Sequence, residues 1–207
     1  MKLSACLALF ALAASADAFA PITNGAPKAT STALFGGVGI WYSSSTGNTE
    51  TVADYIASAA GGLDYNDIGD ATTEEIEGAD ALIVGAPTWH TGADEQRSGT
   101  SWDEWLYDTL PSLNMDGKKV AVFGVGDQQS YTDNFCDAAG ELYDLLSAKG
   151  CKIYGLTSTE GYDHQASKAI VEGDKFCGLM CDEDNQYDLS EGRAQSWIAQ
   201  LKDEGFF

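Results

Sequence analysis

Apolar positions in this chain gather into short dense runs, and between the runs they recur at helical spacing. The first run is Val38, Ile40, Trp41 and Tyr42, which reads as a strand. It breaks into Ser43, Ser44, Ser45, Thr46, Gly47 and Asn48, followed by Thr49. Residues 50–60 then place Val52, Ala53, Ile56 and Ala60 on one helical face, and Gly61-Gly62 ends that helix. Residues 63–68 form a weaker second strand, and residues 70–78 read as an acidic connection.

Residues 79–86 (ADALIVGA) and 118–124 (KKVAVFG) are continuous apolar runs. Such runs suit parallel strands covered on both faces. The first is followed by Pro87-Thr88-Trp89-His90-Thr91-Gly92 and a polar stretch to Thr100. A helix over 101–110 then turns Trp102, Trp105, Leu106 and Leu110 to one side. The second run leads into Val125-Gly126-Asp127-Gln128-Gln129-Ser130-Tyr131. A helix over 134–149 follows, with Gly150 as its cap. Residues 151–157 predict a fifth strand, which residues 158–176 interrupt before FCGLMC resumes it at 176–181. Residues 182–186 are loop, and 189–204 a closing helix with Ala194, Trp197, Ile198 and Leu201 inward.

Five strands alternating with helices predict an α/β fold, a doubly wound parallel sheet with helices on both faces. Ligands of such sheets bind outside the carboxyl ends of the strands, near the switch in strand order. The loops at 43–49, 87–100 and 125–134 all leave strands at that end.

Charge changes the picture next. The whole chain carries a formal net charge of −21. Without residues 1–35, which hold Lys2, Lys28 and Asp17, 9 basic residues face 31 acidic ones, a balance of −22. Such a surface disfavours nucleic acid and anionic membranes and favours a basic protein partner reached by electrostatic steering. The plainer reading of the same charge is solubility. Of the Cys residues outside the leader, Cys177 and Cys181 stand C-x3-C without further ligands for zinc. With Cys136 and Cys151 they read as small buried apolar residues of a reducing compartment.

The first 35 residues are of another kind. Lys2 precedes an apolar segment, and Ala16-Asp17-Ala18 supplies small residues before Phe19, a signal-peptide pattern too short to span a membrane. Residues 19–35 are rich in Ala, Thr and Ser and contain no acid, as a transit peptide does. A signal peptide over 1–18 and a transit peptide over 19–35, opening with Phe in ADAFAP, resemble the bipartite plastid presequence of diatoms and related algae. The resemblance implies a chloroplast protein, with the functional domain spanning 36–207; plain secretion is the alternative.

The stretch 43–49 combines hydroxyls with a predicted helix N-terminus, whose free N–H groups attract anions. Ser44, Ser45, Thr46 and Thr49 could add donors around one phosphate. There is no Lys in the loop, so the nucleotide-triphosphate motif G-x-x-x-x-G-K-[ST] is not matched. Taken alone, the loop is equally a Ser/Thr-rich helix cap. Trp89 and Tyr131 lie just past neighbouring strands and can serve as flat platforms for a planar ring. Together the three loops describe a holder for a ring joined to a phosphate by a polar chain.

The set S-x-T-G-N-T, A-P-T-W, G-x-G-D-x-x-x-Y-x-D-N-F and D-E-D-N-Q, in this order and spacing, resembles flavodoxin from about Val38 to Leu201. The interruption at 158–176 is similar to that of the long-chain type. The resemblance implies the strand order 2-1-3-4-5, one non-covalent FMN and a one-electron carrier. It implies that Ser44, Ser45, Thr46, Gly47, Asn48 and Thr49 hold the phosphate. It places Trp89 and Tyr131 against the isoalloxazine. Backbone at Thr88, His90, Thr91 and Gly92 and at Val125, Gly126 and Asp127 would meet the ring edge, with Asn134 and Asp184 near the ribityl or in the loop scaffold. The segment 92–101 is a few residues longer than in many cyanobacterial members. The resemblance also implies basic redox partners, photosystem I as donor and ferredoxin–NADP reductase as acceptor, and a monomer without stable membrane insertion.

Acids around the ring and no cation in the phosphate loop should make a second negative charge on the flavin unfavourable. One unit charge at ~5 Å in an effective dielectric of ~20 is worth ~3 kcal/mol, on the order of 100 mV for one electron. His90 stands where Asn is frequent in the family; its imidazole would tune the potential with pH if it faced the flavin, and would do little if it faced solvent. The alternative function is an FMN-dependent NAD(P)H quinone reductase; no motif for a nicotinamide site is present.

Overall fold

The computed structural model describes residues 37–207. The signal and transit peptides over 1–18 and 19–35 lie outside the described residues. Strand β1 (Val38–Tyr42) pairs in parallel with β2 (Tyr65–Asp67) on one side and β3 (Ala81–Pro87) on the other. Strand β4 (Lys119–Val125) follows β3, and β5 (Lys152–Tyr154) follows β4, giving the order β2-β1-β3-β4-β5.

The fifth position is shared by two segments. β5 pairs with Lys119 to Ala121 of β4, whereas Gly178–Cys181 takes up the pairing from Val122 to Val125. Between them Thr157–Ser158 (β6) and Lys175–Phe176 (β7) form an antiparallel ribbon of their own, which makes Gly178–Cys181 strand β8. The interruption expected at 158–176 is this excursion. Close contact explains the small residue at the start of β8: a Cβ on Gly178 would lie 1.8 Å from the carbonyl oxygen of Val122.

The strands alternate their side chains between two cores. On β3, Leu82, Val84 and Ala86 join Trp41, Val120 and Val122 on one face. Ala81 and Ile83 join Ile40, Ala121 and Phe123 on the other. Helices α1 (Asn48–Ala59) and α5 (Tyr187–Asp203) cover the second face with Val52, Ile56, Trp197 and Leu201. The first face is covered by α4 (Asp137–Ala148) and the helical stretch that starts as α3 (Ser101–Glu104), through Leu142, Leu146, Trp102 and Leu106. α2 (Thr73–Gly78) sits between β2 and β3 and adds Ile76 to that core.

Three local expectations need correction. Residues 70–78 are not merely a connection: α2 lies there, held by a capping box in which Thr72 and Glu75 bond each other's backbone N–H. The helix expected over 101–110 is one α-turn that widens to a π-turn over Trp105–Thr109 and tightens over Leu110–Ser112. This keeps Trp102, Trp105, Leu106 and Leu110 buried on one side although the winding changes. The helix expected from residue 134 begins at Asp137, because Cys136 adopts a left-handed conformation (φ 56°) that interrupts it. Cys136, Cys151, Cys177 and Cys181 are buried free thiols, as their apolar setting predicts. Burial pushes Cys151 up to about 11 and Cys181 up to about 12, so both stay protonated and inert at neutral pH.

Candidate functional site

A cleft of about 320 Å³ opens at the carboxyl ends of β1, β3 and β4. Its floor at one end is the turn into α1. Gly47 takes the N-cap position with φ 96°, and no side chain caps the helix. A residue with a Cβ would be strained at that φ. Ser44 Oγ accepts the Gly47 N–H at 2.9 Å and closes the turn. Thr46, Asn48 and Thr49 line the cleft. The Thr49 hydroxyl is fully buried and has no hydrogen-bond partner in the protein. A buried hydroxyl without a partner costs about 1–3 kcal/mol, so its natural complement is an acceptor brought by a ligand. Together with the open N–H groups of α1, it fits a phosphate.

The walls are Trp89 and Tyr131, which are 48% and 51% exposed. Pro87 and Thr88 join Trp89 from the end of β3, and Val125, Gly126 and Asp127 extend the site from β4. Pro87 is a lining residue that the motif reading passed over. Thr88 also serves the scaffold: its Oγ1 accepts the Ala138 N–H at 3.0 Å, and its own N–H donates to the Val125 carbonyl at 3.2 Å.

The tyrosine loop is organised by two carboxylates. Asp127 Oδ1 accepts from the backbone of Gln129 and Ser130 at 2.9 and 2.8 Å and from Asn185 Nδ2 at 2.8 Å. Burial alone would lift its carboxyl; the bonds from Ser130, Asn185 and Gln129 outweigh it and hold the group below its ordinary range. Asp182 is completely buried and accepts from Gln128 N at 3.1 Å and from Asn185 Nδ2 at 2.9 Å. Asp184 lines the cleft beside them, its carboxyl raised by burial and by the charges of Asp127 and Asp182. No Lys or Arg lines the cleft, so a bound phosphate would meet neutral dipoles, and a bound ring would sit near acids.

The structure separates the remaining expected contacts. Ser45 is exposed at the loop tip and does not line the cleft, and neither do Thr91 and Gly92. His90 folds back on its own loop, with Nδ1 2.7 Å from the Gln96 carbonyl and 3.6 Å from Asp103 Oδ2. That contact makes Nδ1 the protonated nitrogen. Its backbone is committed too: the N–H donates to Arg97 O at 3.0 Å and the carbonyl accepts from Ala93 N at 3.2 Å. In this structure both backbone groups of His90 are engaged within its own loop. Asn134 belongs to the scaffold, with Nδ2 donating to Asp137 Oδ2 at 3.1 Å.

The loop after Trp89 brings in residues that lie outside the motifs. Arg97 is buried and fastens the loop through Nε to the Ala93 carbonyl at 3.0 Å and Nη2 to the Asp94 carbonyl at 2.6 Å. Glu141 of α4, 3% exposed, accepts the N–H groups of Gln96 and Arg97 at 2.7 and 2.8 Å and the Tyr107 hydroxyl at 2.5 Å. A lone Glu in a helical pattern gives no sequence signal of such a role.

A cation-free phosphate pocket beside two aromatic walls, at the switch between β1 and β3, defines a mononucleotide holder on a doubly wound sheet. The sequence profile of the family described as Flavodoxin matches residues 40–197. The chain is 44% identical to a flavodoxin of Synechococcus elongatus over 170 residues, covering 81% of this chain and 96% of that one. It is 43% identical to a flavodoxin of Synechocystis over 168 residues, covering 80% and 95%. Among solved structures it superposes on a Fusobacterium nucleatum flavodoxin bound to flavin mononucleotide with a TM-score of 0.71 at 32% identity, covering 81% of this chain and 98% of that one. The chain belongs to the flavodoxin family. It is an electron-transfer flavoprotein, not an enzyme, and its cofactor is FMN.

Proposed function

We propose that this protein carries single electrons from photosystem I to ferredoxin–NADP reductase in a plastid, in place of ferredoxin. Bound FMN supplies the redox chemistry. The chain's own residues hold the phosphate without a cation, leave the aromatic walls open to solvent, and set a negative surface around them. The observation that carries the reading is the half-exposure of Trp89 and Tyr131, the two walls of a cleft with Asp127 and Asp184 among its lining. A ring held there keeps an open edge, and electron exchange needs close approach and no binding of a substrate. The acidic balance selects basic partners. Two cyanobacterial relatives and the plastid-type leader at residues 1–35 support a photosynthetic setting.

Flash photoreduction tests the reading. The FMN-loaded protein should be reduced by isolated photosystem I and should support NADP+ reduction when the reductase is added. Both rates should fall as ionic strength rises, because exposed charges are screened over about 8 Å at 0.15 M salt. Absence of photoreduction, or steady NAD(P)H oxidation by the isolated protein, would overturn it. Residues 1–35 fused to a fluorescent reporter should reach the plastid in an alga with secondary plastids.

A further inference from the structure

We propose that Glu141 is the positioning residue of the flavin-flanking loop, acting on Trp89 through the backbone of Arg97. The inference rests on the reading of the cleft as the FMN site. It starts from a chain of contacts that runs from α4 to the cleft wall. Trp89 and His90 both donate their N–H to the Arg97 carbonyl, at 3.2 and 3.0 Å. This one carbonyl closes the neck of the loop. The other side of the same segment faces Glu141. Oε1 accepts from Gln96 N at 2.7 Å and Oε2 from Arg97 N at 2.8 Å. Gln96 is left-handed, with φ 57°. Successive N–H groups around such a residue converge into a nest that binds an anion. Here the anion is the protein's own carboxylate, delivered from a helix 44 or 45 positions away in sequence.

Tyr107 completes the arrangement by donating its hydroxyl to Oε1 at 2.5 Å. Burial, then the bond and charge of Glu141, raise the Tyr107 phenol, so it remains a donor across the physiological range. Three donors therefore meet a carboxylate that is 3% exposed. A positive-φ Gln is an unfavourable residue choice that the nest contacts compensate. Without them the neck has no second anchor on its α4 side, and the Trp89 wall loses its fixed height above the cleft. A glutamine at 141 would offer one acceptor oxygen and turn an NH2 group toward donors.

The test uses wild type, Glu141→Gln and Tyr107→Phe, each as apoprotein and with FMN. Trp89 is 48% exposed whereas Trp41, Trp102, Trp105 and Trp197 are 6% exposed or less, so acrylamide quenching of the apoprotein reports Trp89. Trp89→Phe is the control that should remove the quenchable component. Glu141→Gln should raise the quenching and weaken FMN binding by roughly tenfold, the change that 1.4 kcal/mol produces. Tyr107→Phe should move both in the same direction by less. Wild-type quenching and affinity in Glu141→Gln, even with a lowered urea midpoint, would overturn the proposal and leave the residue a piece of scaffold. If Glu141→Gln does not fold, Tyr107→Phe decides on the same two readouts. A wild-type protein that binds no FMN would remove the cofactor reading; the quenching comparison would still decide whether Glu141 orders the loop.

Discussion

Thr88 and Ala138 are joined by a 3.0 Å hydrogen bond from the helix N–H to the threonine hydroxyl, which ties the end of β3 to the first turn of α4. The same threonine lines the cleft, so one side chain serves helix capping and the site wall at once. Thr88→Val keeps the shape and removes the acceptor. It should lower stability by about 1 kcal/mol, the usual worth of a lost helix cap, read as a reduced urea midpoint at unchanged slope.

Thr49 carries the opposite balance. Its hydroxyl is buried and has no hydrogen-bond partner in the protein. Thr49→Val should stabilise the apoprotein and weaken FMN binding by on the order of tenfold or more, since a bond to a charged group is worth about 1.5–3 kcal/mol. Riboflavin, which has no phosphate, should bind both forms equally. Equal loss for both ligands would place the hydroxyl's effect elsewhere than at the phosphate.

Thr46 is exposed and lines the cleft, so Thr46→Lys adds the missing cation without disturbing the core. FMN should bind more tightly. At ~7 Å and an effective dielectric of ~40 the added charge is worth about 1 kcal/mol, which raises the potential of the second one-electron step by on the order of 50 mV. Redox titration with dithionite measures it, and an unmoved second potential would reject the electrostatic account of a strongly reducing flavin.

His164 lies among Phe135 and Phe176, and its Nδ1 is buried without a partner. Burial lowers its pKa below the ordinary 6.5, although Asp163 opposes the shift. The folded protein therefore resists a proton that the unfolded chain accepts. Its contribution to stability is intact above the unfolded value and declines as pH falls through about 6.5 toward the lower folded value. His164→Phe should flatten that part of the stability profile, measured by urea unfolding between pH 7 and pH 5. The raised carboxyls of Glu183 and Asp184 have the opposite sign, so the difference between variant and wild type is the quantity to compare.

How far the sequence reaches is clearest at particular residues. The strands were legible because Ala81 to Ala86 and Val120 to Phe123 are apolar without break, which a two-sided sheet demands. Trp89, Tyr131 and Thr49 were legible because each sits just beyond a strand end, where the fold puts ligands. The capping box of Thr72 and Glu75 was present in the letters, but the acidic composition around it reads first as a loop. Cys136 was not legible as a break, because nothing in its side chain announces a left-handed backbone. The neck of the loop at Arg97 and the direction of the His90 ring depend on Glu141 and Asp103, partners distant or unmarked in sequence. Local pattern reveals which segments fold; it does not reveal which distant carboxylate a loop will close upon.

The division of the last sheet position between β5 and β8 also bears on how the molecule behaves in company. Among the described residues, one border of the sheet is β2, three residues long, and the other is divided between β5, three residues, and β8, four residues, with the excursion between them. Neither border offers a second copy a long straight ladder of free backbone groups, the feature that turns crowded sheets toward edge-to-edge association. A shuttle must be abundant and must part from each partner it meets. Here the break in the sheet that accommodates residues 158–176 also divides one of its rims into two short pieces.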